Sequence, residues 1–429
     1  MRIEPQATGV AALARIRRRL LPFTFLLYIV AYLDRINVGF AALQMNRDLG
    51  LGDAEFGLGA GVFFIGYFLF EIPSNLILER VGARAWIARI MISWGAVAMA
   101  MAMVRGAPSF YLLRFLLGVA EAGFFPGIIV YLTYWFPAPQ RARAIALFMT
   151  ASALAGVIGG PVSGALLATG GRLGLAGWQW LFILEGLPSV ILGVVVLFYL
   201  DDRPGDAKWL TKEEKRWLAE TLARESAREH RLIRGLTNAR VWLLALLYFA
   251  IVTGLYGVTM WLPQIVKGLG TLGNLGVGFV STVPFLAAAA AMVKVGQSSD
   301  RRGERRWHVA LSAFAGAAGL MLSALVHNPL VALAALSLGA AGIWGTMGPF
   351  WSMPSEHLGG TAAAAGIALI NSVGNLGGFV GPYLVGMVRQ TSQSFAGGLA
   401  AMALMLAVAG CLALALRDEA NAGQPVPSG

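Results

Sequence analysis

The sequence contains an internal repeat at a spacing of about 221 residues, and the repeat runs through strongly apolar sequence. The charged segment 79–84 (ERVGAR) returns at 300–305 (DRRGER), and Gly160 and Pro161 return as Gly381 and Pro382. Both copies run in the same direction along the chain. The repeat therefore predicts two similar halves, and parallel repeats of membrane segments are typical of transporters whose site lies between the halves.

The composition also indicates a membrane protein. Hydrophobic residues make up 57% of the 429 residues and charged residues 13%, against roughly 25% charged in soluble domains. We expect an all-α integral membrane fold with twelve transmembrane helices in two pseudo-symmetric six-helix halves. Each predicted span has about 20 residues or more, enough to cross a ~30 Å hydrocarbon core. The spans are placed at 20–44, 56–78, 86–104, 109–135, 142–168, 179–200, 241–266, 276–298, 307–326, 329–353, 361–389 and 394–416.

A charged stretch separates the two sets of six spans. We predict an N-terminal half at 1–200, a cytoplasmic linker at 201–240 and a C-terminal half at 241–429. Charged residues at helical spacing in the linker predict an amphipathic helix with i,i+4 pairs such as Glu220 with Arg224. A solvated tether is favoured over a docking site for a soluble partner.

Lysine and arginine lie mostly on one side of the predicted spans. Of the 33, 25 fall in the termini and in or at the edges of the loops after even-numbered spans, five fall in or at the edges of the other loops and three fall deeper within spans. The positive-inside rule therefore predicts a multi-pass protein of the bacterial inner membrane with both termini in the cytoplasm. This asymmetry explains the net charge of +11. No nucleic-acid partner is predicted, because no basic stretch is interleaved with stacking aromatic residues.

Other classes of function are not indicated. No group of His, Cys and carboxylate residues has metal-ligand spacing, so no metal is predicted. No P-loop occurs, which argues against an ATP-driven pump, and no nucleophile–base pair indicates an enzyme. The single cysteine, Cys411, excludes an internal disulfide. We expect no cofactor, and partners limited to the lipid bilayer, protons and a small solute.

Four charged residues lie inside spans of the first half. Asp34 and Arg35 occupy the middle of the first span, and Arg114 and Glu121 lie seven residues apart on one helix face. A charge at mid-membrane costs at least ~2.5–3.5 kcal/mol, so it usually faces a cavity or a partner. The acids can bind and release a proton, and the arginines can hold a carboxylate. A structural ion pair between two helices is the alternative interpretation.

Other polar residues in the spans are weaker candidates. Glu71 precedes a proline, and it either lines the same path or satisfies backbone donors freed there. Lys294 is expected to extend to the membrane interface, and Glu185 is assigned a structural role near the end of a span. Asn371 and Asn375 are four residues apart, so both could face a cavity.

The repeat has diverged at the charged positions. Leu255 or Tyr256 stands where Asp34 or Arg35 would be expected in the second half. The first half is therefore expected to handle protons and anionic charge, and the second half to shape the pocket.

The two charged loops resemble the loop signature of the major facilitator superfamily, Gly-x-x-x-Asp-Arg-x-Gly-x-Arg-Arg. The copy at 296–306 matches it fully, and the first copy departs from it at Asn75 and Glu79. The resemblance implies the major facilitator fold and a role for both loops as charge latches. The implied gating residues are Glu79, Arg80, Gly82, Arg84, Asp300, Arg301, Gly303 and Arg305.

More narrowly, the chain resembles the anion:cation symporter family, and especially its tartrate, phthalate and 4-hydroxyphenylacetate permeases. The resemblance is carried by 32–41 (YLDRINVGFA), 73–76 (PSNL), 121–127 (EAGFFPG) and 178–180 (WQW). It implies proton-coupled uptake of a small organic anion by a monomeric carrier. It implies Asp34 and Glu121 as proton sites, and as substrate contacts Arg35, Arg114, Tyr32, Tyr67, Asn371, Asn375, Gln264 and Trp344.

The resulting hypothesis is a secondary active transporter that works by alternating access. The expected substrate is a mono- or dicarboxylate, an aromatic acid or a sugar acid. The Gly-Pro pattern of the span at 142–168 resembles an antiporter signature. A proton-driven exporter or antiporter of metabolites or drugs therefore stays open as the alternative.

Overall fold

The structure, a computed structural model, describes residues 5–226, 239–357 and 361–416. Within these ranges the chain is helical and contains no β-strand. Short 3-10 turns lie at Met101–Met103, Arg172–Gly174 and Pro204–Asp206. The α-helices are α1 (Pro5–Leu49), α2 (Asp53–Val81), α3 (Ala83–Ala100), α4 (Ala107–Glu121), α5 (Phe124–Thr133), α6 (Ala138–Leu167), α7 (Gly177–Tyr199), α8 (Lys212–Ser226), α9 (Ala239–Gly268), α10 (Asn274–Arg302), α11 (Arg306–Leu325), α12 (Pro329–His357), α13 (Thr361–Asn375), α14 (Gly377–Ser392) and α15 (Phe395–Ala415).

The prediction of twelve transmembrane helices is confirmed. In the described ranges, eleven helical stretches are long and apolar enough to cross a membrane. The remaining predicted span, 361–389, is formed by α13 and α14 together. Each of these helices is too short to span alone, and they join end to end at Leu376.

The span predicted at 109–135 is not one continuous helix. α4 ends at Glu121 and α5 begins at Phe124, because Gly123 adopts a left-handed backbone with φ +87°. A Cβ at position 123 would lie 2.2 Å from Ser74 Oγ of α2. Only glycine allows both this conformation and this close approach. The break places the Glu121 carboxylate, which is fully buried, at the end of α4.

The linker helix docks on the membrane-spanning helices. The predicted amphipathic helix is confirmed as α8, and it packs against the long N-terminal end of α1. Arg15 of α1 donates a hydrogen bond to the buried Glu214 of α8 at 3.2 Å. Within α8, an i,i+4 ion pair joins Arg216 to Glu220 at 2.9 Å. Below, the face of the molecule that carries α8 is called the linker face, and the other membrane face is called the opposite face.

The two halves meet along two pairs of closely packed helices, α6 with α10 and α2 with α14. A Cβ on Gly160 would lie 2.4 Å from the carbonyl oxygen of Gly278. A Cβ on Gly57 would lie 2.5 Å from the carbonyl oxygen of Pro382. Small residues thus let the two halves touch backbone to backbone. The Gly-Pro pattern of α6 thus lies at a tightly packed contact between the halves.

Polar contacts join the halves at the opposite face. The Asp53 carboxylate at the start of α2 pairs with Arg389 near the end of α14 at 2.8 Å. The backbone N–H of Ala54 donates to the side-chain oxygen of Gln390 at 3.0 Å. Together with the glycine contacts, these interactions close the opposite face between α2 and α14.

Gly118 of α4 gives a stability prediction. A Cβ at this position would lie 1.9 Å from the backbone oxygen of Phe63, which cannot swing aside as a side-chain tip can. Gly118→Ala is expected to lower the free energy of unfolding by ~1–3 kcal/mol, the usual cost of overpacking. The readout is the thermal unfolding midpoint in detergent. Gly270→Ala, where nothing lies within 4 Å, is the matched control. Equal midpoints for the two variants would contradict this packing.

Candidate functional site

A cavity lies between the two halves and takes its walls from both. Aromatic side chains dominate the lining, and Arg35 is the single charged side chain among the described residues that line it. The first half contributes Tyr28, Tyr32, Arg35, Tyr67, Phe125, Met149 and Ser152. The second half contributes Tyr248, Val252, Leu255, Tyr256, Met292, Trp344, Met347, Asn371 and Asn375.

Arg35 reaches the cavity wall from the middle of α1. Its Nη2 forms an ion pair with Oε1 of Glu121, and its Nη1 donates a hydrogen bond to the Tyr256 hydroxyl at 2.9 Å. The guanidinium carbon lies 5.4 Å from the ring centres of both Phe63 and Tyr67. One acid, one hydroxyl from the other half and two rings therefore hold the guanidinium in place. This arrangement can present a fixed positive charge to an anion.

Arg114 is placed away from the cavity. It is fully buried, and it donates hydrogen bonds to the backbone oxygens of Gly59 at 3.3 Å and Ala60 at 3.0 Å on α2. Its guanidinium carbon lies 5.0 Å from the Phe63 ring, which Arg35 also contacts. Arg114 therefore ties α4 to α2, and it is not among the residues that line the cavity.

Asp34 also lies outside the cavity lining. Consecutive helix residues point about 100° apart, so Asp34 faces the interior of the first half while Arg35 faces the cavity. The Asp34 carboxylate accepts hydrogen bonds from Nε1 of Trp94 at 2.7 Å and from the hydroxyl of Ser189. The two candidate proton sites, Asp34 and Glu121, therefore occupy different surroundings.

Glu71 connects the halves beside the cavity. The Asn371 side-chain amide donates to Glu71 Oε1, and the Ser372 hydroxyl donates to Oε2 at 3.3 Å. Because Asn371 also lines the cavity, Glu71 is one side chain removed from it. Of the two sequence interpretations of this residue, a place next to the path fits these contacts. Its carboxylate bonds to side chains of α13 rather than to backbone donors near Pro73.

The remaining sequence candidates divide into two groups. The structure brings five of the expected substrate contacts to the cavity wall, namely Tyr32, Tyr67, Trp344, Asn371 and Asn375. Gln264 is not among the lining residues. It accepts a hydrogen bond from Arg389 at 2.7 Å, and Arg389 also pairs with Asp53 across the halves. Gln264 therefore supports the closed opposite face.

Three lining tyrosines, Tyr28, Tyr248 and Tyr256, were not singled out as contacts by sequence reasoning. The signal for Tyr256 was present, because it stands at the repeat position of Arg35. The structure shows that these two repeat-related residues meet at the centre of the molecule. Tyr28 and Tyr248 are themselves related by the repeat, at a spacing of 220 residues.

The ion pairs of the charged loops do not join one half to the other. Arg84 pairs with Asp202 at the start of the linker at 3.7 Å, and Asp300 pairs with Arg305 at 2.6 Å. Gly82 and Gly303 have positive φ values of +100° and +62°, which explains glycine at both positions of the signature. Within the described ranges, the exposed side chains of Glu79, Arg80 and Arg301 form no ion pair.

This architecture was compared with a solved structure and with a protein-family model. A solved bacterial homologue of the human lysosomal transporter Spinster, in an inward-facing and occupied conformation, superposes with a TM-score of 0.77. It covers 93% of this chain and 96% of that chain at 15% identity, so it shows a shared fold. The family model of the Major Facilitator Superfamily matches residues 24–382.

Curated relatives agree with this match. A protein of Agrobacterium vitis, provisionally named a tartrate transporter, is 54% identical over 97% of both chains. A quinolone resistance transporter of Acinetobacter baumannii is 44% identical over 90% of this chain and 91% of its own length. Two six-helix halves around a central cavity define a membrane transport protein rather than an enzyme. The chain belongs to the Major Facilitator Superfamily.

Proposed function

We propose that this protein is a secondary active transporter that couples proton entry to the uptake of a small organic anion. The observation that carries the proposal is the ion pair between Arg35 and Glu121 at the cavity wall. Arg35 is the single charged side chain among the described lining residues, and its partner is an acid that a proton can neutralise.

The ion pair supports coupling because Glu121 and an anion compete for the same guanidinium. While Glu121 is ionised, Nη2 of Arg35 is engaged. When a proton neutralises Glu121, Arg35 becomes free to form two charge-assisted hydrogen bonds to a substrate carboxylate. Tyr256 holds Nη1 throughout and keeps the guanidinium oriented. Proton binding and anion binding therefore favour each other, which is the thermodynamic requirement for symport.

The remaining polar groups have supporting roles in this proposal. Asp34 is the second proton site, shielded from the substrate inside the first half. Tyr32, Tyr67, Asn371 and Asn375 offer hydrogen bonds to the anion. The aromatic wall, with Trp344 in it, packs against the carbon skeleton. Arg114 and Gln264 act one layer behind the substrate, through α2 and through the opposite-face contact.

The lining indicates the class of substrate. One guanidinium, several hydroxyl and amide groups and many rings suit a mono- or dicarboxylate, an aromatic acid or a sugar acid. The resemblance to the anion:cation symporter family supports the same class. Tartrate, a hydroxylated dicarboxylate that appears in the name of the A. vitis relative, is the first anion to test.

The proposed orientation follows from the positive charge of the linker face. By the positive-inside rule that face is cytoplasmic, in the bacterial inner membrane, with the protein acting as a monomer. The contact between Asp53 and Arg389 then closes the outer side, so the structure represents an inward-facing state. In this proposal the charge latches join the halves only when the carrier faces outward. The ion pairs of Arg84 with Asp202 and of Asp300 with Arg305, which do not join the halves, support this.

The second candidate function is proton-driven export. The name of the A. baumannii relative and the Gly-Pro pattern of α6 favour this alternative. The Arg35 charge at the wall favours an anionic cargo over a cationic one. A drug exporter would be expected to move its cargo outward when protons flow inward, and this predicts the opposite direction of solute movement.

Uptake into proteoliposomes with an alkaline interior tests the proposal. The panel contains tartrate, phthalate, 4-hydroxyphenylacetate, galactonate and a neutral sugar as control. We expect one acid to accumulate and a protonophore to abolish that accumulation. If no acid accumulates, while a preloaded drug or metabolite leaves against its gradient as protons enter, export replaces uptake as the function.

A further inference from the structure

A second buried polar cluster lies inside the first half, outside the central cavity. The Glu185 carboxyl on α7 accepts a hydrogen bond from the Ser163 hydroxyl on α6 at 2.7 Å. One turn along α7, Ser189 donates to the Asp34 carboxylate on α1. Asn37, one turn from Asp34, is 1% exposed and completes the cluster beside Glu185. Sequence reasoning gave Glu185 only a structural role.

The cluster contains two acids and no cation. Asp34 is held by an indole N–H and a hydroxyl, and Glu185 by one hydroxyl. Glu121, by contrast, has the guanidinium of Arg35. An ionised carboxylate that is buried without a cation carries a large desolvation cost, so such groups bind a proton instead.

Several polar atoms of the cluster have no hydrogen-bond partner among the described residues. They are Oε2 of Glu185, Oδ1 of Asp34, and both amide atoms of Asn37. Leaving a buried donor or acceptor unsatisfied is costly, and a functional role is one of the explanations for such a group. The Asn37 amide lies next to Glu185 but outside hydrogen-bonding geometry.

Three helices, α1, α3 and α6, pack against α7, the helix that carries Glu185, and each of them carries charged groups. On α1 the titratable neighbour is Asp34, and Arg35 is directed to the cavity. Gly186, the α7 neighbour of Glu185, packs against Gly95 and Met99 of α3. The α3 residues Arg84 and Arg89 lie nearer the linker face. On α6, Ser163 is near the helix end at the opposite face, and Arg141 and Arg143 are at the other end. A bound proton therefore has Asp34 as its nearest titratable partner.

The cluster extends from Asp34 toward the opposite face. Ser163 lies one turn before the end of α6, and Asn37 lies one turn beyond Asp34 in the same direction. At that face the α1 side chains Gln44 and Asp48 accept hydrogen bonds from Trp178 at the start of α7. Both helices are thus fixed together along the route from the opposite face to Asp34.

We propose that Glu185 is a second proton-binding carboxyl, which passes protons between the opposite face and Asp34 along a route separate from the substrate cavity. The proton adds to Oε2 of Glu185 and neutralises it. Its transfer to Oδ1 of Asp34 restores the Glu185 carboxylate and neutralises Asp34, so charge and protons balance. Ser189 links the turn that carries Glu185 to Asp34. The direction in which protons move along this route rests on the proposed function. Proton binding by Glu185 does not depend on the proposed function.

Infrared spectroscopy of the purified full-length protein tests proton binding without any transport. We expect the wild type to show a buried carboxylic acid C=O band that disappears in Glu185→Gln and persists in Glu214→Gln. Glu214 is the matched control because it is also a buried carboxyl but pairs with Arg15 outside the cluster. A spectrum of Glu185→Gln that matches the wild type from acidic to alkaline pH would overturn the proposal.

Transport tests the relay itself. Glu185→Gln retains the side-chain volume and an acceptor for Ser163. It is expected to slow uptake driven by a pH gradient about 100-fold, the lower end of the range that a positioned proton-transferring side chain contributes. Substrate exchange at equal pH should continue, and Glu185→Asp should partly restore uptake.

Ser189→Ala should reduce driven uptake but keep the infrared band of Glu185. Driven uptake with an unchanged pH profile in Glu185→Gln would refute the relay. Absence of driven uptake in the wild type would refute the proposed function instead, leaving the infrared band to decide proton binding.

Discussion

Glu121→Gln is expected to abolish accumulation of the anion against its gradient while substrate exchange continues. Glutamine has nearly the same volume and can still accept a hydrogen bond from Arg35, but it cannot take up or release a proton. The carrier would then resemble its permanently protonated form, with the guanidinium available to the anion. Accumulation driven by a pH gradient should fall at least about 100-fold, the lower end of the range for loss of a proton-transferring group. Parallel assays of driven uptake and of counterflow at equal pH measure the two activities.

Glu220→Gln is the matched control for this experiment. It makes the same chemical change at an exposed carboxylate of α8, whose partner Arg216 is also exposed. Surface ion pairs contribute little, about 0–1 kcal/mol, so driven uptake should persist. Asp34→Asn makes the equivalent test at the second acid. Driven uptake that survived in both Glu121→Gln and Asp34→Asn would refute their assignment as proton sites.

Arg35→Gln is expected to remove most of the binding affinity for the anion. Removing one partner of a buried charge pair at a binding surface costs about 2–5 kcal/mol, or roughly 30-fold to several-thousand-fold in Kd. Arg35→Lys retains the charge but loses the planar fork, and it should give an intermediate Kd. Equilibrium binding of radiolabelled substrate to the purified protein provides the measurement.

Stability must be separated from binding in this experiment. Arg35→Gln leaves Glu121 buried without its cation, which typically costs about 3–5 kcal/mol of folding free energy. The double variant Arg35→Gln, Glu121→Gln removes both charges, so its thermal unfolding midpoint should recover toward that of the wild type. Its affinity for the anion should stay low. Recovery of binding in the double variant would show that Arg35 does not contact the substrate.

The two experiments address opposite sides of one ion pair. In the proposed mechanism, Glu121 controls whether the guanidinium is occupied, and Arg35 supplies the charge that an anion needs. Tyr256 from the second half contacts the same guanidinium, so rocking of one half against the other would change its environment. The site can therefore sense protonation, substrate and conformation together.

The membrane architecture was accessible from sequence because hydropathy and the repeat are local patterns. Twelve apolar stretches and the 221-residue spacing predicted the two-half bundle, and the structure differs mainly at helix breaks. Gly123 broke the predicted span at 109–135 because its left-handed backbone accommodates Ser74 of a neighbouring helix. That contact depends on packing between helices, so no pattern within the span could predict it.

The charged residues, too, combine features that the sequence predicted with contacts that only the packing of helices decided. Their cost in a membrane singled out Asp34, Arg35, Arg114 and Glu121 before any fold was known. The sequence left open an ion pair between two of these helices without fixing its partners. The structure forms it between Arg35 and Glu121 and places Arg114 on backbone carbonyls. Partner choice depends on the rotation of each helix about its axis, which is set by tertiary packing.

By itself, therefore, the sequence determined the number of spans, the two-half organisation and which charged residues lie within the spans. These follow from how much each residue costs in a lipid environment and from the spacing along the chain. Only the tertiary structure decided that Arg35 faces the cavity while Asp34 faces Glu185 and the interior of the first half. Adjacent residues on a helix point about 100° apart, so neighbours in sequence were assigned to different sites by the packing of the helices around them.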